Sequence, residues 1–267
     1  MNMNQIVGQA DLMLITLDTL RYDVAQAAWQ DGLLPNLSRL LPSTGWQLRH
    51  TPGNFTFAAH SAFFTGFFPT PAMPGKHFRP FALRFAGSET TGPDTCVLEG
   101  ENLISGLANR GYHTICIGGV GFFNKQTPLG CVLPGMFHES HWSVELGVTD
   151  RDSTRNQVRV ACDALARLPH EQRAFLFINI SALHQPNCHY LPGHYEDNCA
   201  TQMAALQYVD SQLPPLLDTL RARGNGWGIV CSDHGTAYGE EGYWGHRISH
   251  PVVWNVPYAE VTWEHQS

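Results

Sequence analysis

The stretch LMLITLD, residues 12–18, decides how the rest of the chain is read. Leu12 to Leu17 carry no charge and show no polar alternation, and Asp18 follows at once. A short unbroken run of this kind reads as a strand buried on both faces, as in a central parallel sheet. It is too short to span a bilayer. A carboxylate just past the C-terminal end of such a strand stands where open α/β sheets bind their ligands.

Working outward, two further runs repeat the pattern. AFLFINI at 174–180 is a buried strand, and GWGIVCSDHG at 226–235 is a strand that ends in Asp233 and His234. Tyr112 to Ile117 is a fourth, closed by Gly118 and Gly119, and residues 46–50 form a short fifth. Between them the apolar spacing predicts helices over 33–42, from Thr56 to Gly66, over 101–110 and over 153–168. The last has Asp152 or Ser153 as its cap and Pro169 as its stop. A longer helix over 199–222 must be interrupted at Pro214 and Pro215. Residues 67–99, rich in Pro, Gly and aromatics, read as irregular structure, a lid or pocket wall. Strand and helix alternate without a repeat or linker. The expectation is one α/β domain over 1–267, a three-layer α/β/α sandwich with a largely parallel central sheet. Asp18, Ser181, His184, Asp233 and His234 then gather at one sheet edge.

Composition narrows the chemistry. Charged residues are 15% of the 267 and the net charge is −7, with no basic run, which argues against nucleic acid or an anionic membrane held by bulk charge. The 14 histidines nearly match the 16 Lys and Arg together, and only Lys76 and Lys125 are lysines. That abundance favours metal ligation or acid–base work. The seven cysteines are scattered without a CxxC pair, and the N-terminus has no cationic leader or long apolar segment. Both features read as a soluble cytoplasmic protein. The oligomeric state is not legible.

Individual residues leave alternatives open. Asp18 can be a ligand, a nucleophile or a helix cap. An aspartyl nucleophile of the haloacid dehalogenase type needs a second Asp two residues later, and that position is Leu20. Thr56 opens a helix, so it is either an N-cap or a hydroxyl that a metal can turn into a nucleophile. Asp233 and His234 supply one oxygen and one nitrogen ligand, with His246 and His250 further on. His184, Cys188 and His189 follow the 174–180 strand in no standard zinc spacing.

Taken together, LDTLRYD (17–23), TFAAHSAFFTGFFP (56–69), RGYHTICIG (110–118) and the segment from Tyr208 through GIVCSDHGTAYGEEGYWGH (228–246) resemble the alkaline phosphatase and sulfatase superfamily of metalloenzymes. The resemblance implies an alkaline phosphatase-like fold. It implies that Asp18, Thr56, Asp233 and His234 hold one divalent metal, zinc or manganese. It further implies a second ion on His250 with His184 and His189, and catalytic roles for Thr56, His60 and His246. Formylglycine chemistry is excluded, because the nucleophile position is Thr56 and not Cys or Ser. The implied activity is metal-dependent hydrolysis of a small-molecule phosphoester. The alternatives are phosphoryl mutase or transferase chemistry at the same site, a sulfatase-like hydrolase, and a degenerate metal-binding non-enzyme.

Overall fold

The structure is a computed structural model that describes residues 2–66 and 102–265. In chain order the elements are β1 (Asp11–Leu17), α1 (Tyr22–Gln30), β2 (Gln47–His50), α2 (Thr56–Thr65), α3 (Leu103–Asn109), β3 (His113–Ile117), α4 (Pro128–Val132), β4 (Glu139–His141), α5 (Ser153–Ala166), β5 (Ala174–Ile180), α6 (Cys199–Gln212), α7 (Pro214–Arg223), β6 (Gly226–Cys231), β7 (Ala237–Tyr238), β8 (Trp244–Gly245), α8 (Pro251–Trp254) and β9 (Asn255–Trp263). Seven strands make one sheet in the order β2-β9-β6-β1-β5-β3-β4. From β6 to β4 every neighbour is parallel, while β9 runs antiparallel to both β6 and β2. The sheet is therefore largely parallel, with one reversed strand.

Both faces of the sheet are covered. Along β1, Met13, Ile15 and Leu17 face a core filled by Val24 of α1, Leu165 of α5, Leu206 of α6 and Leu220 of α7. Leu12 and Leu14 face the opposite core, with Phe64 of α2 and Leu107 of α3. Every residue of β1 and of β5 is buried. That double burial is why both strands are written as near-continuous apolar runs. The result is the expected three-layer α/β/α arrangement.

Local chemistry sets the helix ends. Asn198 starts α6 by accepting from the Ala200 and Thr201 amides, with Thr201 bonding back in a capping box. The predicted long helix breaks into α6 and α7 at Pro214, whose missing N–H is harmless at the first position of a new helix. α2 ends at Gly66 in the left-handed conformation.

Three expectations need correction or completion. The segment 33–42 is not a helix; only Leu37–Arg39 forms one 3₁₀ turn. The Asp210 carboxylate of α6 binds the Asn36 and Leu37 amides and fixes the segment as a capped turn. Elements α1 and β9 are additions the sequence pattern did not reveal. The irregular structure expected over 67–99 lies outside the described residues.

Because β5, β1 and β6 are adjacent and parallel, their C-terminal ends open on one edge. Asp18, the loop from Ser181 and Asp233 leave the sheet side by side, as strand topology requires.

Candidate metal centre

Asp18 follows the last residue of β1 and is fully buried. Thr19 beyond it has φ +61, a conformation that costs a β-branched residue about 1–3 kcal/mol. Three hydrogen bonds hold it there. Its N–H donates to Asp233 Oδ1 (3.3 Å), its hydroxyl donates to the Leu183 carbonyl (3.1 Å), and its carbonyl accepts from Gln202 Nε2 (2.9 Å). The strained turn thus links the ends of β1, β5 and β6.

Asp233 and His234 follow β6 and are also fully buried. Asp233 Oδ1 accepts from the Thr19 and His234 amides, while Oδ2 has no hydrogen-bond partner. Asp18 Oδ2 accepts from Asn179 Nδ2 (3.0 Å), while Oδ1 has none. His234 Nδ1 lies 2.9 Å from the Gly235 carbonyl, which can only accept. Nδ1 therefore carries the proton and Nε2 presents a lone pair. One ligand atom each from Asp18, Asp233 and His234 can be chosen within 4.8 Å of one another, and this is the grouping of that kind among the described residues.

The electrostatics point the same way. Burial, then the neighbouring Asp233 charge, pushes the Asp18 carboxyl up to about 6; His184, His234 and the Asn179 amide oppose it. Burial pushes Asp233 up to about 7 against the backbone hydrogen bonds it accepts. Burial pushes His234 down and keeps it neutral. Two buried carboxyls with one unpartnered oxygen each, beside an imidazole lone pair, are the donors a divalent cation needs. The residues fit a metal.

Thr56 is the first residue of α2 and 3% exposed. Its Oγ1 lies 3.4 Å from Asp18 Oδ2 and 3.3 Å from His234 Nε2. The preceding Phe55 offers no side-chain cap, so the first amides of α2 are left without one.

His60 was expected to reach substrate, and the structure corrects that. It is fully buried and boxed by Phe63, Phe64, Phe123 and Phe177 at ring-centroid distances of 5.4–5.9 Å. Burial pushes it down to about 3, so it is neutral. Nδ1 donates to the Thr56 carbonyl (2.7 Å) and Nε2 accepts from the Thr16 hydroxyl (3.0 Å). Thr16 in turn accepts from Asn179 Nδ2 (3.3 Å). His60 braces α2 against β1 and β5 and supplies no charge.

The remaining histidines divide. The His246 ring packs 4.6 Å from that of His234 and 5.6 Å from that of His184. Burial and the two neighbouring imidazoles push His246 down to about 3. Thr56, His184 and His246 line a cleft of about 280 Å³ together with the apolar Val120, Phe122 and Leu129. His250 and His189 do not join them. His250 Nδ1 caps α8 by accepting from the Val252 amide (3.2 Å), and Nε2 points toward Glu241 (3.9 Å). His189 packs against Tyr190 with ring centroids 4.2 Å apart and the rings tilted by 44°. The expected second set of His250, His184 and His189 is therefore not assembled. Left-handed turns in the 239–247 segment lay His246, and not His250, beside His234.

Asn179 is the functional neighbour that sequence reasoning missed. It binds Asp18, Thr16 and, through Oδ1, the Val120 amide (3.1 Å). The one signal was a lone amide inside the apolar run AFLFINI.

A scan against protein-family models and a comparison with curated proteins return no match. Solved structures do match. The C-terminal periplasmic domain of phosphoethanolamine transferase EptC from Campylobacter jejuni superposes with a TM-score of 0.63 at 14% identity, covering 95% of this chain and 79% of that one. The same domain of EptC from Escherichia coli, in complex with Zn, gives 0.63 at 12% identity over 96% and 73%. A protein in the alkaline phosphatase superfamily from Vibrio parahaemolyticus gives 0.58 at 16% over 96% and 61%. The fold is alkaline phosphatase-like, shared with these solved structures. Of these structures, one is named a phosphoethanolamine transferase domain and another is a zinc complex.

The same comparisons correct the cytoplasmic expectation. Both EptC structures, which share this fold, are periplasmic domains, so the fold gives no support to a cytoplasmic location. Unpaired cysteines were a poor guide to compartment. Cys116 and Cys231 are buried, and burial raises their thiol pKa, so they are unreactive in either environment. No described helix is long and apolar enough to cross a membrane.

Proposed function

We propose that the chain cleaves small-molecule phosphoesters through Thr56, holding the phosphoryl group on the threonine oxygen before passing it to an acceptor. The observation that carries this reading is the Thr56 hydroxyl within 3.3–3.4 Å of His234 Nε2 and Asp18 Oδ2, at the first turn of a helix. A divalent cation held by Asp18, Asp233 and His234, zinc or manganese by donor type, would supply Lewis acidity and lower the hydroxyl pKa. Thr56 Oγ gives up its proton and bonds to phosphorus as the bond to the leaving oxygen breaks; that oxygen takes up a proton. The free amides at the start of α2 receive a non-bridging oxygen. His184 and His246 line the same cleft and are placed to meet the leaving group, with Val120, Phe122 and Leu129 as apolar lining.

In the second half-reaction the phosphorus–Oγ bond breaks and Thr56 is regenerated. Water as acceptor makes the protein a hydrolase; an alcohol makes it a transferase. The transferase reading is favoured by the EptC structures, which share the fold and carry that activity in their names. The test is incubation of zinc- or manganese-loaded protein with mono- and diester nitrophenyl phosphates, with and without glycerol or ethanolamine, followed by phosphorus NMR. Turnover lost in Thr56→Ala supports the reading, and the product names the acceptor. Wild-type turnover by Thr56→Ala contradicts it.

A further inference from the structure

We infer that Arg21, through Glu240, is a positioning residue that holds the His246 hairpin over the cleft. This rests on the proposed role of the cleft. The residues from Ala237 to Gly245 form a hairpin of two two-residue strands, β7 and β8. An isolated hairpin of that size is not stable in water. Its turn is also strained: Gly239, Glu241, Gly242 and Gly245 all have positive φ, and Glu241 is not a glycine. His246 follows directly, so its place depends on how the hairpin is fastened.

Three fastenings are visible, one of them the Asn187 Nδ2 bond to the Tyr238 hydroxyl (3.2 Å). On one side the Arg247 amide donates to the Asn54 carbonyl (2.9 Å). On the other stands Arg21, three residues past Asp18, with a side chain only 5% exposed. The guanidinium forms an ion pair with Glu240 through Nη1, lies 3.5 Å from the Thr236 carbonyl, and sits 5.8 Å from the centre of the Tyr238 ring. Asp23 holds its far edge through Nε (2.9 Å) and Nη2 (2.6 Å), so the fork is fixed before it meets the hairpin. Glu240 then uses its second oxygen to accept from the Tyr238 amide (2.6 Å), converting the ion pair into a hold on the hairpin backbone. The Arg21 amide is itself anchored to Gln202 Oε1 (3.2 Å), the residue that also holds the Thr19 carbonyl. One connected set of contacts therefore runs from the Asp18 turn to the element that carries His246.

The test uses Glu240→Gln, which keeps size and leaves the Arg21–Asp23 pair intact, beside Arg21→Lys and the double variant. Hydrogen exchange by mass spectrometry reports the hairpin independently of activity. Amides of residues 237–246 should exchange about tenfold faster in Glu240→Gln, while zinc stoichiometry is unchanged. Where turnover exists, kcat/KM should fall by roughly tenfold, an effect of the size expected for a displaced contact group. Arg21→Lys should recover exchange protection only in part, because the fork is lost, and adding it to Glu240→Gln should cause little further change. Unchanged exchange in Glu240→Gln overturns the inference, as does loss of zinc together with activity. Absence of phosphoester turnover in the wild type would count against the proposed function, and the exchange result would still decide the clamp.

Discussion

Thr56 Oγ1 stands 3.3 Å from His234 Nε2, and the geometry of both residues is over-determined. His234 is turned by its bond to the Gly235 carbonyl so that its lone pair faces the threonine. Thr56 is held by the start of α2, which His60 braces from behind. The hydroxyl therefore meets the donor set without having to move.

If Thr56 is the nucleophile, Thr56→Ala lowers kcat by roughly a thousandfold or more while metal content and melting temperature stay close to wild type. Thr56→Ser keeps partial activity, since the oxygen remains. Steady-state kinetics with elemental analysis checks both.

The metal should compete with protons. Below about 6 and about 7 the Asp18 and Asp233 carboxyls are protonated, so affinity for zinc rises between pH 5 and 8 and binding releases protons. Stability of the chelated protein follows the opposite sign. Folded Asp18 and Asp233 hold protons that the unfolded chain, with ordinary carboxyls, has lost, so their contribution falls as pH rises through 6 to 7. His60 and His246, lowered to about 3, add stability as pH rises toward 6.5 and nothing beyond. Zinc should therefore raise the melting temperature of the chelated protein more at pH 8 than at pH 5. Calorimetry in buffers of different ionisation enthalpy measures the protons released.

Asn179→Leu should leave the fold intact but free the Asp18 carboxylate, lowering metal affinity by about 10- to 100-fold, the usual cost of losing such a support. A competition titration with a chromogenic chelator reads the change.

His60→Leu leaves the Thr56 carbonyl and Thr16 hydroxyl without their imidazole partner in a dry site, at a cost of about 2–4 kcal/mol. Urea unfolding shows it. His250→Ala removes only a helix cap, with a loss of about 1 kcal/mol and no metal. His246→Ala keeps the metal and loses turnover.

What the sequence revealed follows from burial. β1 and β5 lie in the middle of the sheet, so their apolar runs and the Asp18 that follows β1 are visible without a structure. β9 alternates buried and exposed residues from Ala259 on, includes Pro257 and Glu260, and is the one reversed strand, between β2 and β6, so no continuous run marks it. The pairing of Asp18 with Asp233 and His234 follows from strand order, because β1 and β6 are neighbours. The choice between His246 and His250 does not. It depends on left-handed turns at Gly239, Glu241, Gly242, Gly245 and Arg247, whose combined path no local pattern encodes. Asn179 gains its meaning only from partners 59 to 163 residues away.

In the proposed function Asp18, Asp233 and His234 hold the divalent cation that activates Thr56. Zinc titration of the chelated wild type and of the Asp18→Asn, Asp233→Asn, His234→Ala triple variant by isothermal calorimetry tests it directly. About one tightly bound equivalent is expected in the wild type, by the ligand count of such centres, with its loss in the triple variant. Equal binding by the two proteins, or no binding by the wild type, would contradict it.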